Sequence, residues 1–148
     1  MSVEARASVI TLGVADVARA KAFYEQALGW TPFFSMDDIA FFDLNGLVFG
    51  LFKHDAFRAD MDRAGAFDAG AYRGFALAHN VRSEAQVDAL FANVSGAGAA
   101  ILKAPHKTDW GGYSGYFADP DGNPWEVAFN PHWPIGADGR LEIEKGAP

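Results

Sequence analysis

Glu126 is the residue whose type and setting most clearly indicate chemistry. The sequence Asp-Pro-Asp-Gly at 119–122 predicts a tight turn between two strands, because proline fixes one turn dihedral and glycine readily takes a left-handed conformation. Alternation along the second strand places Glu126 on the face opposite Trp125 and Val127. A carboxylate on an interior face suits a metal, a proton transfer or a cationic ligand. The alternative is a half-exposed residue on an edge strand.

Aromatic and hydroxyl-bearing residues are predicted to share the surroundings of Glu126. Strand alternation assigns one face of each strand to the helices and the other face to a cleft. The residues on or beside the cleft that could contact a ligand are Thr11, Phe52, His106, Trp110, Tyr113, Ser114 and Tyr116. Rings for stacking, with small residues between them, are typical of a small-molecule pocket. The alternative is that side chains from the other half of the chain fill this space.

Residues 7–53 predict a module of order β-α-β-β-β. Ser8–Val14 alternates as a strand, and Asp16 is a suitable N-cap for a helix that ends before Gly29. An Asn-Gly pair predicts a hairpin turn between the last two of three further strands, at Thr31–Ser35, Ile39–Leu44 and Leu47–Phe52.

Residues 73–133 repeat this order. A strand at Gly74–His79 precedes a capping box at residues 83–86, and apolar residues with helical spacing follow it as far as Gly96. The remaining strands are predicted at Ala99–Ala104, Gly115–Ala118 and Trp125–Phe129. The repeat indicates a duplicated module.

The segments outside the two modules are polar. Residues 54–72 are interpreted as a linker with a short surface helix near Ala56–Arg63. Residues 134–148 contain Gly, Pro and charged residues, and we expect a loosely attached tail. His106 is expected in a loop at the rim of the cleft.

The amino-acid composition excludes several classes of function for this protein. The chain has 148 residues, half of them hydrophobic, which suits one domain with a sizeable core. Absence of Cys excludes disulfides, thiolate metal ligands and cysteine nucleophiles. A net charge of −7 without a basic cluster argues against a nucleic-acid partner. No apolar run approaches membrane length, so we expect a cytoplasmic protein without a membrane partner.

The histidines form no catalytic pattern. His54 is expected in a surface loop, His79 at a strand end, and His132 after the last strand in a structural or interface role. No Ser-His-Asp set and no phosphate-binding glycine loop with a following Lys is present. The sequence therefore predicts no cofactor.

Two β-α-β-β-β modules, with LGVADVARAKAFYEQALGW in the first and YFADPDGNPWEV in the second, resemble the vicinal oxygen chelate superfamily. That superfamily includes glyoxalase I, extradiol dioxygenases, fosfomycin-resistance enzymes and bleomycin-binding proteins. The resemblance spans about Val9–Pro131, and the WGGY sequence at 110–113 is similar to small glyoxalase-like members. It implies an α+β fold in which two tandem modules with curved mixed sheets enclose a cleft.

The resemblance also implies where a metal would bind. In metal-using members the ligands come from the first and last strands of each module, and these positions correspond here to Val9, Gly50, Gly74 and Glu126. A divalent cation needs several nitrogen or oxygen ligands, and only Glu126 has a donor. We therefore expect no metal at this place.

Two functions follow from the resemblance. The one we favour is a binding protein, similar to the bleomycin-binding members, that holds a small hydrophobic or cationic molecule beside Glu126. The alternative is a lyase or isomerase of glyoxalase type, or a dioxygenase-related enzyme. Glu126 would then be the general base, with Tyr116 or His106 as the electrophile. We also expect a homodimer, because superfamily members commonly pair and aromatic residues such as Trp133 and Phe57 could serve an interface.

Overall fold

Both predicted modules are present in the structure, a computed structural model that describes residues 4–61, 68 and 71–143. Each module has the order β-α-β-β-β, and a further helix, α2, connects them. The elements are β1 Val9–Val14, α1 Val17–Leu28, β2 Phe34–Ser35, β3 Ile39–Leu44, β4 Leu47–Lys53, α2 His54–Asp60, β5 Leu77–Val81, α3 Glu84–Gly96, β6 Ala100–Lys107, β7 Tyr113–Ala118 and β8 Pro124–Phe129. The predicted α+β class and tandem arrangement are confirmed.

Each module folds into a mixed sheet, and the two sheets have the same topology. The strand order is β1-β4-β3-β2 in sheet one and β5-β8-β7-β6 in sheet two. The first strand of each module pairs in parallel with the last, and the other pairs are antiparallel. Thr11 lies opposite Gly50 in sheet one as Ala78 lies opposite Glu126 in sheet two. Gly50 therefore occupies the position in sheet one that Glu126 occupies in sheet two.

Short-range signals set the helix ends where the sequence predicts them. The Asp16 side chain accepts a hydrogen bond from the backbone N–H of Arg19 at 2.9 Å, and Gly29 ends α1 with a φ of 69°. The Ser83 hydroxyl accepts a hydrogen bond from the backbone N–H of Gln86 at 3.2 Å. None of the helices in the described part of the chain has the length and hydropathy needed to cross a membrane.

One aromatic core is shared by both modules. Tyr24 of α1 is fully buried, and its ring centroid lies 4.9 Å from that of Phe49 in β4 and 6.1 Å from that of Trp125 in β8. The rings of Phe49 and Trp125 are themselves 5.6 Å apart. Because aromatic rings bury large apolar areas, this cluster joins the two sheets through their helix-facing sides.

The opposite sides of the two sheets point away from this core. Successive side chains alternate across a strand, so Gly50 faces away from the side that carries Phe49, and Glu126 faces away from the side that carries Trp125. These two sides are called here the outward face of sheet one and the outward face of sheet two.

The strands of the second module differ from the predicted boundaries mainly at β5 and β6. β5 begins at Leu77 instead of Gly74, because Gly74 has a φ of 73°, which is outside strand geometry. β6 continues to Lys107 through two irregularities in its register with β7. His106 therefore lies in a strand, and the expectation of a rim loop was wrong.

The residues after 133 are attached more firmly than expected. The backbone N–H of Gly136 donates to the carbonyl of Arg140 at 2.8 Å, which closes a turn. Asn45 donates from Nδ2 to the carbonyl of Asp138, and Arg82 donates to the carbonyl of Gly136, both at 2.8 Å. The tail therefore binds both modules through residues 134–143.

Candidate functional site

Glu126 lies on the outward face of sheet two, as alternation predicts. Its neighbours Trp125 and Val127 are buried in the core, whereas Glu126 is half-buried. Tyr116 of β7 lies directly opposite Glu126 in the register of the two strands. Burial, followed by the effect of Glu126, raises the pKa of Tyr116 above its ordinary value of 10.0. Tyr116 is therefore protonated at neutral pH and has a hydroxyl proton that it can donate.

A cavity of about 850 Å³ lies beside Tyr116 on this face. Its wall includes Leu102 of β6 and Phe75 and Tyr72, which precede β5. Leu102 is 57% exposed and Tyr72 is 95% exposed, so the cavity has an open apolar rim. Its volume lies within the range of about 300–1,000 Å³ that is usual for small-molecule sites. Tyr116 lines this cavity and lies directly opposite Glu126 in the sheet.

The turn between β7 and β8 is held by the carboxylate of Asp119. Its Oδ1 accepts hydrogen bonds from the backbone N–H groups of Asp121 at 2.9 Å and Asn123 at 2.8 Å. Gly122 has a φ of 81°, which confirms the left-handed position that the sequence predicts. These bonds fix the register of the two strands that form the centre of the outward face.

The same turn binds the first module. Asp119 Oδ2 accepts a hydrogen bond from the Tyr24 hydroxyl at 2.7 Å. Asp121 Oδ1 accepts from the Arg19 guanidinium and from the backbone N–H of Ala15, both at 2.8 Å. Burial raises the pKa of Asp119 above its ordinary value, and the hydrogen bonds that it accepts oppose this rise. Sequence reasoning assigned these residues only a turn, although two carboxylates close together in an apolar segment were a signal for such partners.

The outward face of sheet one has no carboxylate at the matching position. Gly50 lies there between Thr11 and Phe41. A Cβ at Gly50 would lie 3.2 Å from the Phe41 ring and 3.3 Å from Thr11 Oγ1, so the aromatic ring occupies the space beside the glycine. Sequence reasoning missed Phe41, although the Asn-Gly turn at 45–46 determines its pairing with Gly50.

The linker helix α2 packs against this face and has no fully buried residue. A Cβ at Gly13 would lie 2.6 Å from His54 Nδ1, so His54 sits directly on the strand instead of in a surface loop. Phe57 packs on Phe52 with ring centroids 5.4 Å apart. Phe57 is therefore half-buried and less available for an interface than expected. Helix α2 starts before the predicted Ala56, and residues 62–63 lie outside the described residues.

Ser114 and His106 lie near Glu126 on the outward face of sheet two. Ser114 is 3% exposed and pairs with Ala128, the next residue on the same face as Glu126. His106 pairs with Ser114 across β6 and β7, and its Nδ1 lies 3.2 Å from the carbonyl oxygen of Ala104. Both predicted residues thus share a face with Glu126.

Trp110 and Tyr113 have different surroundings. Trp110 is 45% exposed, and its ring lies directly against Gly112. Tyr113 lies on the helix side of β7, where its hydroxyl donates to Asp88 of α3 at 2.8 Å. Tyr113 therefore does not share a face with Glu126.

Within one chain, the predicted ligand-binding residues that lie on the outward faces fall into two groups. Thr11 and Phe52 lie on the outward face of sheet one, whereas Tyr116 and Glu126 lie on the outward face of sheet two. The shared aromatic core separates the two sheets. A ligand that touches both groups therefore needs surfaces from two copies of the chain.

A family model of the Glyoxalase/Bleomycin resistance protein/Dioxygenase superfamily matches residues 6–127. The chain belongs to this superfamily. A glyoxalase-related enzyme from Fulvimarina pelagi has 39% sequence identity and a TM-score of 0.84, over 93% of this chain and 97% of the relative. An Agrobacterium tumefaciens protein solved by NMR has 30% identity and a TM-score of 0.67, over 83% and 95% of the two chains. Lactoylglutathione lyase from the same species has 23% identity and a TM-score of 0.64, over 84% and 93%, and shows the fold alone. No curated protein gives a significant match.

The resemblance assigns four positions to metal ligands, and the residues at these positions offer only one side-chain donor. Val9 has a hydrocarbon side chain that is 52% exposed, Gly50 and Gly74 have no side chain, and Gly74 precedes β5. Glu126 is thus the only one of the four with a donor, whereas zinc sites use three or four protein ligands. In the described ranges, no group of three or more His, Asp or Glu residues is placed to hold a metal ion.

Proposed function

We propose that this superfamily member binds a small hydrophobic molecule that carries a cation or a hydrogen-bond donor, on the outward face of sheet two. The main supporting observation is the half-buried Glu126, which lies directly opposite Tyr116, a residue in the wall of a cavity of about 850 Å³. The apolar wall suits the hydrocarbon part of such a ligand, and the carboxylate suits its charged or donor group.

The residues around Glu126 favour binding over proton abstraction. A general base that forms an enolate needs a nearby electrophile to stabilise the developing charge. The raised pKa of Tyr116 makes its hydroxyl a weaker acid, and His106 Nδ1 lies 3.2 Å from the carbonyl oxygen of Ala104. Both features make these groups poorer electrophiles, which favours the binding role.

The relatives do not decide between the two functions. The superfamily name covers glyoxalases, bleomycin resistance proteins and dioxygenases, and the 39% identical relative is described as a glyoxalase-related enzyme. Because one fold hosts several functions, the residues of the site are better evidence for function than the fold. A single carboxylate, Glu126, supports a binding role without a metal.

We further propose that the protein is a cytoplasmic homodimer without a membrane or nucleic-acid partner. Phe33 is 62% exposed and stacks on Phe41 beside sheet one, and Leu102 is 57% exposed on sheet two. Exposed apolar surface of this kind favours association, because burial removes it from water. If sheet one of one copy covered sheet two of another, Thr11 and Phe52 would contribute to the site that contains Glu126.

Ligand screening with charge-matched compounds tests the binding function. Thermal-shift screening would identify a hydrophobic cation, and calorimetry would compare it with its uncharged isostere. We expect the cation to bind Glu126→Gln at least about tenfold more weakly than wild type, a loss of about 1.4–3 kcal/mol for a half-buried pair. The uncharged isostere should bind both proteins equally. Glu25→Gln, which changes an exposed glutamate on α1, is the matched control and should behave as wild type.

Equal affinity of the cation for wild type and Glu126→Gln would reject this function. A screen hit that is turned over by wild type, and that binds Glu126→Gln normally without turnover, would instead support the enzyme alternative.

A further inference from the structure

A second cavity lies at the junction of the two modules and includes neither Glu126 nor Tyr116 in its lining. Its volume is about 700 Å³. The C-terminal end of α1, strand β5, helix α3 and the tail at 134–143 each contribute to its wall. The hydrogen bond from Arg82 to the carbonyl of Gly136 holds the tail beside it. The cavity is therefore formed by parts of the chain that the fold keeps in fixed relative positions.

One part of the cavity wall is aromatic and aliphatic. Trp30 and His79 lie in an edge-to-face arrangement with ring centroids 6.3 Å apart. Leu28 and Leu90 line the same cavity and pack against the shared core. A planar hydrophobic molecule can contact these residues without displacing a charged group.

The remaining wall contains carboxamide side chains that are available to a ligand. Gln26, Asn80 and Asn93 line the cavity. None of the three side chains hydrogen-bonds to another residue of the described chain. Each carries both donors and an acceptor, so together they can bind a polar group that enters beside the aromatic wall.

The cavity is less acidic than the rest of the protein. The chain has a net charge of −7, yet no Asp or Glu is among the described residues that line the cavity. Arg82 lines it and brings a permanent positive charge. Burial lowers the pKa of His79 below 6.5, so His79 is neutral at neutral pH and adds no charge. The local charge therefore favours an anion.

We propose that this cavity between the modules binds a small aromatic carboxylate. The ring lies against Trp30 and Leu90, and the carboxylate pairs with Arg82 and accepts hydrogen bonds from the carboxamides. Guanidinium groups pair well with carboxylates because their donors match the two oxygens. This site is separate from the outward face of sheet two and does not depend on the ligand proposed there.

The test uses 2-naphthoate as the probe, with 2-naphthalenemethanol and 2-naphthylmethylammonium as its neutral and cationic analogues. Binding to the full-length protein is measured by calorimetry and by amide NMR. We expect saturable binding of the naphthoate, with shifts of the side-chain amides of Gln26, Asn80 and Asn93. At this cavity, as followed by the shifts of these three side-chain amides, the ammonium analogue should bind at least about tenfold more weakly than the naphthoate.

Two variants of α3 locate the site. Ala89 is exposed and lines the cavity, so Ala89→Trp fills it and should abolish binding. Ala85 is exposed on the same helix but does not line the cavity, so Ala85→Trp should bind as wild type. Arg82→Gln should remove the preference for naphthoate over naphthalenemethanol, and Arg82→Lys should keep part of it.

Several outcomes would overturn this proposal. Naphthoate binding that is unaffected by Ala89→Trp or that does not saturate would each do so. Shifts of the Gln26, Asn80 and Asn93 side-chain amides that saturate with the ammonium analogue as readily as with the naphthoate would do so too. Shifts confined to Tyr116 and Glu126 would place the naphthoate on the outward face of sheet two instead. Glu126→Gln is the internal control, since it should weaken hydrophobic cations but leave naphthoate binding unchanged.

Discussion

Replacing Tyr24 by Phe should weaken the junction between the two modules without changing its shape. Tyr24 is fully buried, and its hydroxyl makes two hydrogen bonds. It donates to Asp119 Oδ2 at 2.7 Å and accepts from Trp125 Nε1 at 3.0 Å. The substitution removes both bonds and leaves the indole N–H buried without this partner.

The expected loss follows from these two bonds. A hydrogen bond to a charged group contributes about 1.5–3 kcal/mol to stability, and one between neutral groups contributes about 0.5–1.5 kcal/mol. Asp119 Oδ2 keeps its bond to Asn123 Nδ2 at 2.9 Å, so the carboxylate is not left without a donor. The free energy of unfolding should therefore fall by about 2–4 kcal/mol at neutral pH.

The loss should also depend on pH. Burial raises the pKa of Asp119 above 3.8, and the hydrogen bond from Tyr24 opposes this rise, so Tyr24→Phe raises the pKa further. A carboxyl group whose pKa is higher in the folded than in the unfolded state takes up protons on folding. Its effect on stability is therefore unfavourable at neutral pH and disappears as the pH falls through the folded pKa toward the unfolded one. The difference between variant and wild type should be largest at neutral pH and smaller at mildly acidic pH.

Urea unfolding followed by tryptophan fluorescence measures both effects. Tyr113→Phe is the matched control, because Tyr113 donates to Asp88 at 2.8 Å in a bond that is exposed to solvent. We expect no measurable change in stability for Tyr113→Phe at either pH. If the two substitutions had equal effects, or if the loss in Tyr24→Phe were the same at both pH values, the reasoning about this buried junction would be refuted.

Three further predictions concern packing, assembly and metal content. Gly13→Ala should destabilise the protein by about 1–3 kcal/mol because its Cβ would lie 2.6 Å from His54 Nδ1, as thermal or urea unfolding can show. Gly96→Ala is the control, since no atom lies within 4 Å of the added Cβ, and its stability should be unchanged or slightly higher. Sedimentation at micromolar concentration should give twice the chain mass, and a clean monomer would reject the homodimer. Elemental analysis of protein purified without chelator should find substoichiometric Zn, Ni, Fe and Mn. One metal per chain, lost in Glu126→Ala, would contradict the argument from the ligand positions.

The features that the sequence predicted correctly depend on residues close together in the chain. Asp16 and Ser83 cap helices through bonds that span three residues. The turn at 119–122 follows from residues with particular backbone preferences. The face that carries Glu126 follows from strand alternation once the strand is recognised. These interactions are available to a short segment before the rest of the chain folds.

What covers each face, and which faces meet, was decided only by the tertiary structure. Alternation placed Thr11 and Glu126 on the faces of their sheets that point away from the helices. It did not predict that the shared core would lie between the two sheets and separate those faces. The packing of α2 against Gly13, the bond between Tyr24 and Asp119, and the attachment of the tail all join segments far apart in the sequence. Such contacts depend on how complete helices and strands pack in three dimensions, so a local sequence pattern does not predict them. The sequence by itself thus determined the modules and the direction of Glu126, and only packing determined the two cavities and the residues that line them.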